Sequence, residues 1–481
     1  MVIGRAAGNA FGMRKTLQLL TIAAVAVGVS APVAAASSRP EWATCATAVQ
    51  QECAKIEVPL DYDRPAGPRI SLAISRIRTA TPQLRRGVLL LIPGGPGNTG
   101  LQRPTALGLH LPKDVLDRYD LIGFDPRGTG ESTPVNCALT PQDITSDQFL
   151  PWPDANGDIT ANAAHARRVA EACAGNGGPL MQHISTPTEA RDIDQIRIAL
   201  GERKLSSWGT SYGTYAGAVY ATMFPGHTDR VVLDSNDDPD PKRLERGWLN
   251  NFAVGGEDRF PDFAAFAAAR DSTYGLGTTP AAVRETYLSL AASLDRAPRP
   301  DLTGNGFRST MFNGLYNTSN FPLLAQVLQG VRTGGPVPAI PVPPNLQNLV
   351  AVSTATACND VAWPRSVQFY ADAVARSRSD FPLTAGMPAN IMPCAFWPFQ
   401  PVQPVRITPY GPDNVLLVQN LRDPATPYSG ALKMRAAFGH RARMVTVNSG
   451  GHGAYLVNGN PCGDNAVTAF LVNGTYQDTT C

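Results

Sequence analysis

Apolar and polar residues alternate at Ile56, Val58 and Leu60 and again at Ile70, Leu72 and Ile74, the period of half-buried strands joined by a turn at Pro65 to Pro68. Residues 88–92 are apolar at every position, as a strand covered on both faces should be. Short apolar runs at 121–124, 205–208, 231–233, 415–418 and 444–447 continue the series, which makes eight predicted strands. Helical periodicity between several of them favours a mostly parallel sheet with helices on both faces. The clearest predicted helix covers 187–200: Thr186 is a candidate N-cap, Pro187 takes the first turn, and Glu189 completes a capping box. Ile193, Ile196 and Leu200 form its apolar stripe, and Gly201 stops it.

Between 239 and 404 the strand signal fades, and alanine-rich helical stretches at 260–270, 280–294 and 367–376 take over, broken by a proline-rich passage at 336–344. The sheet is incomplete without the strands that follow, so this segment reads as an insertion after the sixth strand. The predicted organisation is a core in two parts, 37–238 and 405–481, with a helical cap at 239–404. A length of 481 residues suits a core plus an insertion, and 43% hydrophobic against 17% charged residues is a globular balance.

The ends of the chain add a compartment. Arg14 and Lys15 precede an apolar stretch at 17–29, and Ala34-Ala35-Ala36 supplies small residues for cleavage, so 1–36 reads as a signal peptide. The apolar run is short for a bilayer span and no second one follows, so an exported protein without a membrane anchor is expected. Eight cysteines in an oxidising compartment should pair, and they fall into neighbouring couples: Cys45 with Cys53, Cys137 with Cys173, Cys358 with Cys394, and Cys462 with Cys481. Neither HExxH nor CxxC occurs, so no metal is expected. A net charge of +2 leaves no footprint for nucleic acid.

Three segments carry candidate chemistry: Gly209-Thr210-Ser211-Tyr212-Gly213, Asp423-Pro424-Ala425-Thr426-Pro427 and Gly450-Gly451-His452-Gly453. Each follows a predicted strand, so the three side chains should emerge at one edge of the sheet, and Ser, Asp, His is the chain order of an α/β-hydrolase. In that fold Ser211 is the nucleophile on a strand-to-helix turn, His452 the base that takes its proton, and Asp423 the acid that fixes the imidazole. Asp413 and His440 precede their strands and so belong to the opposite edge. Two backbone N–H groups should receive the oxyanion: that of Tyr212, after the nucleophile, and that of Gly95 in Pro93-Gly94-Gly95-Pro96-Gly97, with Gly94 as the alternative. The stretch from Gly95 to Gly100 also fits GxGxxG, with Asp125 ending the next strand where a ribose-binding acid would stand. Pro96 removes a donor from that cradle, and an exported enzyme has little access to a dinucleotide, so no cofactor is expected.

Together with Phe124-Asp125-Pro126-Arg127-Gly128-Thr129-Gly130 and Cys53 before Val58-Pro59-Leu60-Asp61-Tyr62, these motifs resemble the exported tripeptidyl aminopeptidases of actinomycetes, relatives of the proline iminopeptidases. Pro93 stands where iminopeptidases usually have His, which points to the tripeptidyl branch; Asp234-Ser235-Asn236-Asp237-Asp238-Pro239 departs from the Asp-Gly more usual after the sixth strand. The resemblance implies cleavage after the third residue of peptides with a free N-terminus, with proline preferred before the cut, and a monomer is expected. Such an enzyme needs a carboxylate for the terminal ammonium, and Glu257, Asp258 and Asp360 are the candidates. A carboxylesterase or lipase with the same triad, or a binding protein that has lost activity, are the alternatives.

Overall fold

The computed structural model describes residues 39–46, 48–338 and 346–481, with Met1 and Gly4, so the expected signal peptide falls almost wholly outside the described residues. All eight expected strands form, and two short edge strands join them. In chain order they are β1 (Ala43–Cys45), β2 (Ala48–Pro59), β3 (Arg69–Ile77), β4 (Gly87–Ile92), β5 (Tyr119–Phe124), β6 (Leu205–Ser211), β7 (Thr228–Asn236), β8 (Val415–Arg422), β9 (Ala442–Gly450) and β10 (Thr479–Thr480). They form one sheet in the order β1-β2-β3-β5-β4-β6-β7-β8-β9-β10. The pairs β1/β2, β2/β3 and β3/β5 are antiparallel, and every other pair is parallel. This is the α/β-hydrolase fold.

The continuous apolar run in β4 is explained by its place inside the sheet. Val88, Leu90 and Ile92 enter the core on one face, and Leu89 and Leu91 enter the core on the other. All four cysteine couples are disulfides. Two of them bind the edges: Cys45–Cys53 links β1 to β2, and Cys462–Cys481 ties the C-terminus back, where Cys481 N–H donates to Thr446 O of β9 at 2.8 Å.

The helix expected at 187–200 is Thr186–Ala199, with Ser185 at its N-cap, and the expected capping box does not form. Thr186 is inside the helix, and its hydroxyl donates instead to Asp360 and lies 2.9 Å from the Tyr212 hydroxyl. Glu189 accepts from that same tyrosine at 2.8 Å. A stronger buried network has taken both side chains that the local pattern assigned to the cap.

Between β7 and β8 the chain runs through Leu244–Ala268, Pro280–Arg296, Gly304–Gly314, Phe321–Thr333, Leu346–Asp360 and Val367–Asp380, with shorter turns between. The first four of these helices share an apolar cluster that includes Phe260, Phe263, Tyr287, Phe307 and Leu328, whereas Leu346–Asp360 and Val367–Asp380 pack into the core on the sheet. Even so, residues 37–481 make one compact unit. The first of these helices starts well before the expected residue 260 and carries Pro261 inside it. Gly247, Gly255, Gly256 and Pro261 lower its intrinsic propensity, and packing overrides them.

Candidate active site

Ser211 ends β6 and caps the helix Tyr212–Met223, with φ 59° at a non-glycine residue. That strained strand-to-helix turn has the geometry of a nucleophile elbow. The flanking glycines are required by close approach: a Cβ on Gly209 would lie 2.1 Å from Gly213 O, and one on Gly213 would lie 2.7 Å from Ile92 O and Pro93 O. The loop after β4 therefore presses directly on the elbow. In the same loop a Cβ on Gly94 would sit 3.1 Å from Ser211 Cβ, and Gly95 lines the same cavity as Ser211. The Tyr212 N–H lies at the N-terminus of the helix Tyr212–Met223, where the helix dipole favours negative charge. Asp125 has a different task from the one GxGxxG suggested. Its Oδ1 accepts from Gly100 N at 2.8 Å and Leu101 N at 2.9 Å, and its Oδ2 accepts from Glu131 N at 2.8 Å, which fastens the β4 loop to the β5 loop.

Asp423 and His452 follow β8 and β9, at the same sheet edge as Ser211. Asp423 is fully buried, and both carboxylate oxygens lie 3.0 Å from His452 Nδ1. Its Oδ1 also accepts from Ala425 N and Thr426 N at 2.9 Å, and its Oδ2 accepts from Thr426 Oγ1 at 3.0 Å. This is an Asx turn, for which the Asp-Pro-Ala-Thr-Pro spelling was a visible signal. With Nδ1 engaged by Asp423, Nε2 is the ring nitrogen left for the serine.

The loop that carries His452 is held from both sides. Gly453 N–H donates to Ser235 Oγ at 2.8 Å, and Ala454 and Tyr455 donate to Asp234 at 2.7 and 3.1 Å, so the loop reaches across β8 to the end of β7, beside β6. From the inserted helices, Tyr316 O accepts from His452 N at 2.8 Å, and the Tyr316 ring meets the imidazole edge to face at 5.1 Å. Burial alone would depress the imidazole pKa. Asp423, by charge and hydrogen bond, then Asp237 and Asp234, outweigh burial and raise it above its ordinary value. Asp413 and His440 pair with each other at 3.6 Å at the opposite edge.

Ser211 opens into a cavity of about 520 Å³, within the range of small-molecule sites of roughly 300–1,000 Å³. Trp248, Phe252 and Tyr316 wall it from the inserted helices, and Phe149, Leu150 and Val169 from the segment between β5 and β6. The second wall had no counterpart in the sequence pattern.

Of the acids expected to meet an ammonium, Glu257 pairs with Arg284 at 2.8 Å, Asp258 is exposed, and neither is among the cavity-lining residues. Asp360 is buried one layer back, accepting from Thr186 N at 2.8 Å. A carboxyl that does line the cavity is Glu245, which is 3% exposed and whose Oε1 and Oε2 have no hydrogen-bond partner among the described residues apart from the contact with Asp360. Burial first, and then the neighbouring Asp360, push Glu245 well above the carboxylate range; Asp360 is raised to about 6, chiefly by burial. Two such carboxyls in contact require a proton between them. In the sequence Glu245 stands between Arg243 and Arg246 and looks like any surface acid; only the fold reveals it.

Gly255 shows how the inserted helices bear on the acid. A Cβ there would lie 2.2 Å from Pro424 O and 2.9 Å from Asp423 O. Gly255→Ala is expected to push the Asp423 turn aside, lowering stability by roughly 1–3 kcal/mol as overpacking does, with a larger loss in kcat than in folding. Thermal unfolding and kcat of the purified variant check this, and normal turnover would show that the contact does not set Asp423.

The family described as TAP-like protein matches residues 382–481. The chain is 34% identical over 471 residues to a tripeptidyl aminopeptidase of Streptomyces coelicolor, covering 93% of this chain and 86% of that one. It is 29% identical to the serine protease Hip1 of Mycobacterium tuberculosis, over 90% of this chain and 89% of that one. Carboxylesterase B of Mycobacterium tuberculosis is 30% identical, over 89% and 85%. With near-complete coverage in each, and with the elbow, the Asp–His pair and the fold in place, the chain belongs to the tripeptidyl-aminopeptidase-like family of α/β-hydrolases and is a serine hydrolase of its peptidase branch.

Proposed function

We propose that the protein is an exported serine aminopeptidase that releases tripeptides from free peptide N-termini, proline before the cut being admitted, through an acyl-enzyme on Ser211. Ser211 Oγ attacks the carbonyl carbon after the third residue as His452 Nε2 takes its proton. The oxyanion rests on the N–H groups of Tyr212 and Gly95. His452 then returns the proton to the leaving amine, and a water, activated by the same nitrogen, hydrolyses the ester. Residues 239–404 act as the cap over a core formed by 37–238 and 405–481. Export is supported by the leader-like start and the four disulfides, and no helix among the described residues is long and apolar enough to cross a membrane.

The observation that carries the aminopeptidase reading is Glu245: a buried carboxyl in the same cavity as Ser211, whose only side-chain partner among the described residues is another acid, Asp360. An arriving ammonium supplies the missing donors and stabilises the ionised Glu245–Asp360 pair. The apolar walls and the likeness to a carboxylesterase favour a second reading, acyl-ester hydrolysis. A tripeptide anilide, its N-acetylated form and a short acyl ester separate the two: cleavage of only the free-amine substrate supports the first, and cleavage of only the ester the second. Glu245→Gln is expected to cut the preference for free over N-acetylated anilide by roughly 10- to 1,000-fold, the range of a lost buried charge pair. A preference that survives the change places the anchor elsewhere.

A further inference from the structure

Asp237 lies in the stretch after β7 that departs from the Asp-Gly pattern, and neither the triad nor the ammonium site uses it. It is 5% exposed and lines the cavity with Ser211, and its Oδ2 has no hydrogen-bond partner among the described residues. Its place is held by its own N–H, which donates to Thr214 Oγ1 of the elbow helix at 3.1 Å. The other aspartates of the stretch are engaged. Asp234 holds the His452 loop, and Asp238 is paired with Arg243 and Lys433. The charged groups that act on Asp237 are His452 on the loop after β9, Asp423 after β8, its neighbour Asp238, and Glu245 on the helix Leu244–Ala268. Three of these four are carboxyls, and His452 is already engaged by Asp423. An unpaired carboxylate in that setting is costly, so the neutral acid is the favoured form.

We propose that Asp237 works as a carboxylic acid, donating its O–H to an upstream peptide carbonyl oxygen of the substrate and so holding the acyl chain over Ser211. This rests on the reading of the substrate as a peptide. A neutral carboxyl kept as a donor in an apolar site is a known device. Burial raises Asp237 to about 8 even though His452 opposes the shift, so the donor is present at neutral pH and lost above it. The sign follows: above about pH 8 the group is an acceptor facing an acceptor, and KM for peptides rises.

Asp237→Asn keeps an N–H donor but cannot titrate, and Asp237→Leu has no donor. For the tripeptide anilide, KM should rise between pH 7 and 9 in both proteins as the substrate ammonium deprotonates, and the wild type should rise at least about fivefold more than the Asn variant. The Leu variant should show KM raised about tenfold or more at pH 7, with a smaller change in kcat, as loss of a buried hydrogen bond does. An Asn variant whose KM climbs with pH as the wild type does, or which is as impaired as the Leu variant, overturns the proposal. So does an Asn variant that loses discrimination against the N-acetylated substrate, since Asp237 would then be the ammonium anchor. If the Leu variant fails to fold, the Asn profile alone decides. A wild type that hydrolyses the ester and no peptide sinks the aminopeptidase reading itself, an outcome distinct from peptide cleavage that ignores Asp237.

Discussion

Ser211→Ala is expected to lower kcat by roughly 10⁴- to 10⁶-fold, the scale on which a triad serine hydrolase falls when its nucleophile is removed. In the proposed mechanism the alcohol supplies the bond of the acyl-enzyme, and His452 and Asp423 act only through it, so its loss silences all three together. Alanine tolerates the same φ of 59° no worse than serine does, and the contacts that shape the turn are backbone contacts of Gly209 and Gly213 with their neighbours. Folding should therefore be preserved, and the thermal midpoint should stay close to that of the wild type. The residual rate belongs to the oxyanion donors and to substrate binding. A fluorophosphonate probe gives an independent readout, with stoichiometric labelling of the wild type and none of the variant. Full turnover by the alanine protein would remove Ser211 from the chemistry.

The sheet could be read from the sequence because each central strand is short, apolar and separated from the next by a helical pattern. The edge strands β1 and β10 could not, since three and two residues carry no periodicity; a disulfide and a terminal hydrogen bond hold them instead. The Ser, Asp and His segments were visible for a related reason. A strand end followed by Gly or Pro marks where a side chain leaves a parallel sheet, and that edge is fixed by topology. The same logic sets aside Asp413 and His440, which the fold pairs on the far side. What escaped is everything that depends on contact across the insertion. Glu245, Tyr316 and Gly255 carry no local signature, because the first acts by burial, the second through a ring and a carbonyl, and the third through the absence of a side chain. Thr186 and Glu189 show the converse: a well-formed local motif dissolved by a buried network that includes Asp360 and Tyr212.

Asp423→Asn should reduce kcat by about 10⁴-fold with little change in the fold, because an amide fills the same space but presents an N–H to the imidazole. In the wild type both oxygens of Asp423 lie 3.0 Å from Nδ1, which keeps the proton there and leaves Nε2 free to accept from Ser211. The turn amides of Ala425 and Thr426 go on donating to Oδ1 of the asparagine, so its NH₂ is the group turned toward the ring. That selects the other tautomer, with its hydrogen on Nε2, where it cannot take the serine proton. The pH profile should move as well. The proposed mechanism requires neutral His452, and the charge of Asp423 is the main influence lifting the imidazole against burial. Without that charge burial regains its effect, Asp234 compensates only in part because Asp237 is neutral over this range on the proposal above, and the acid limb of kcat/KM should shift to lower pH. Residual activity of the variant measured from pH 4 to 8 tests this, and an acid limb that stays in place would mean that a group other than His452 titrates in catalysis.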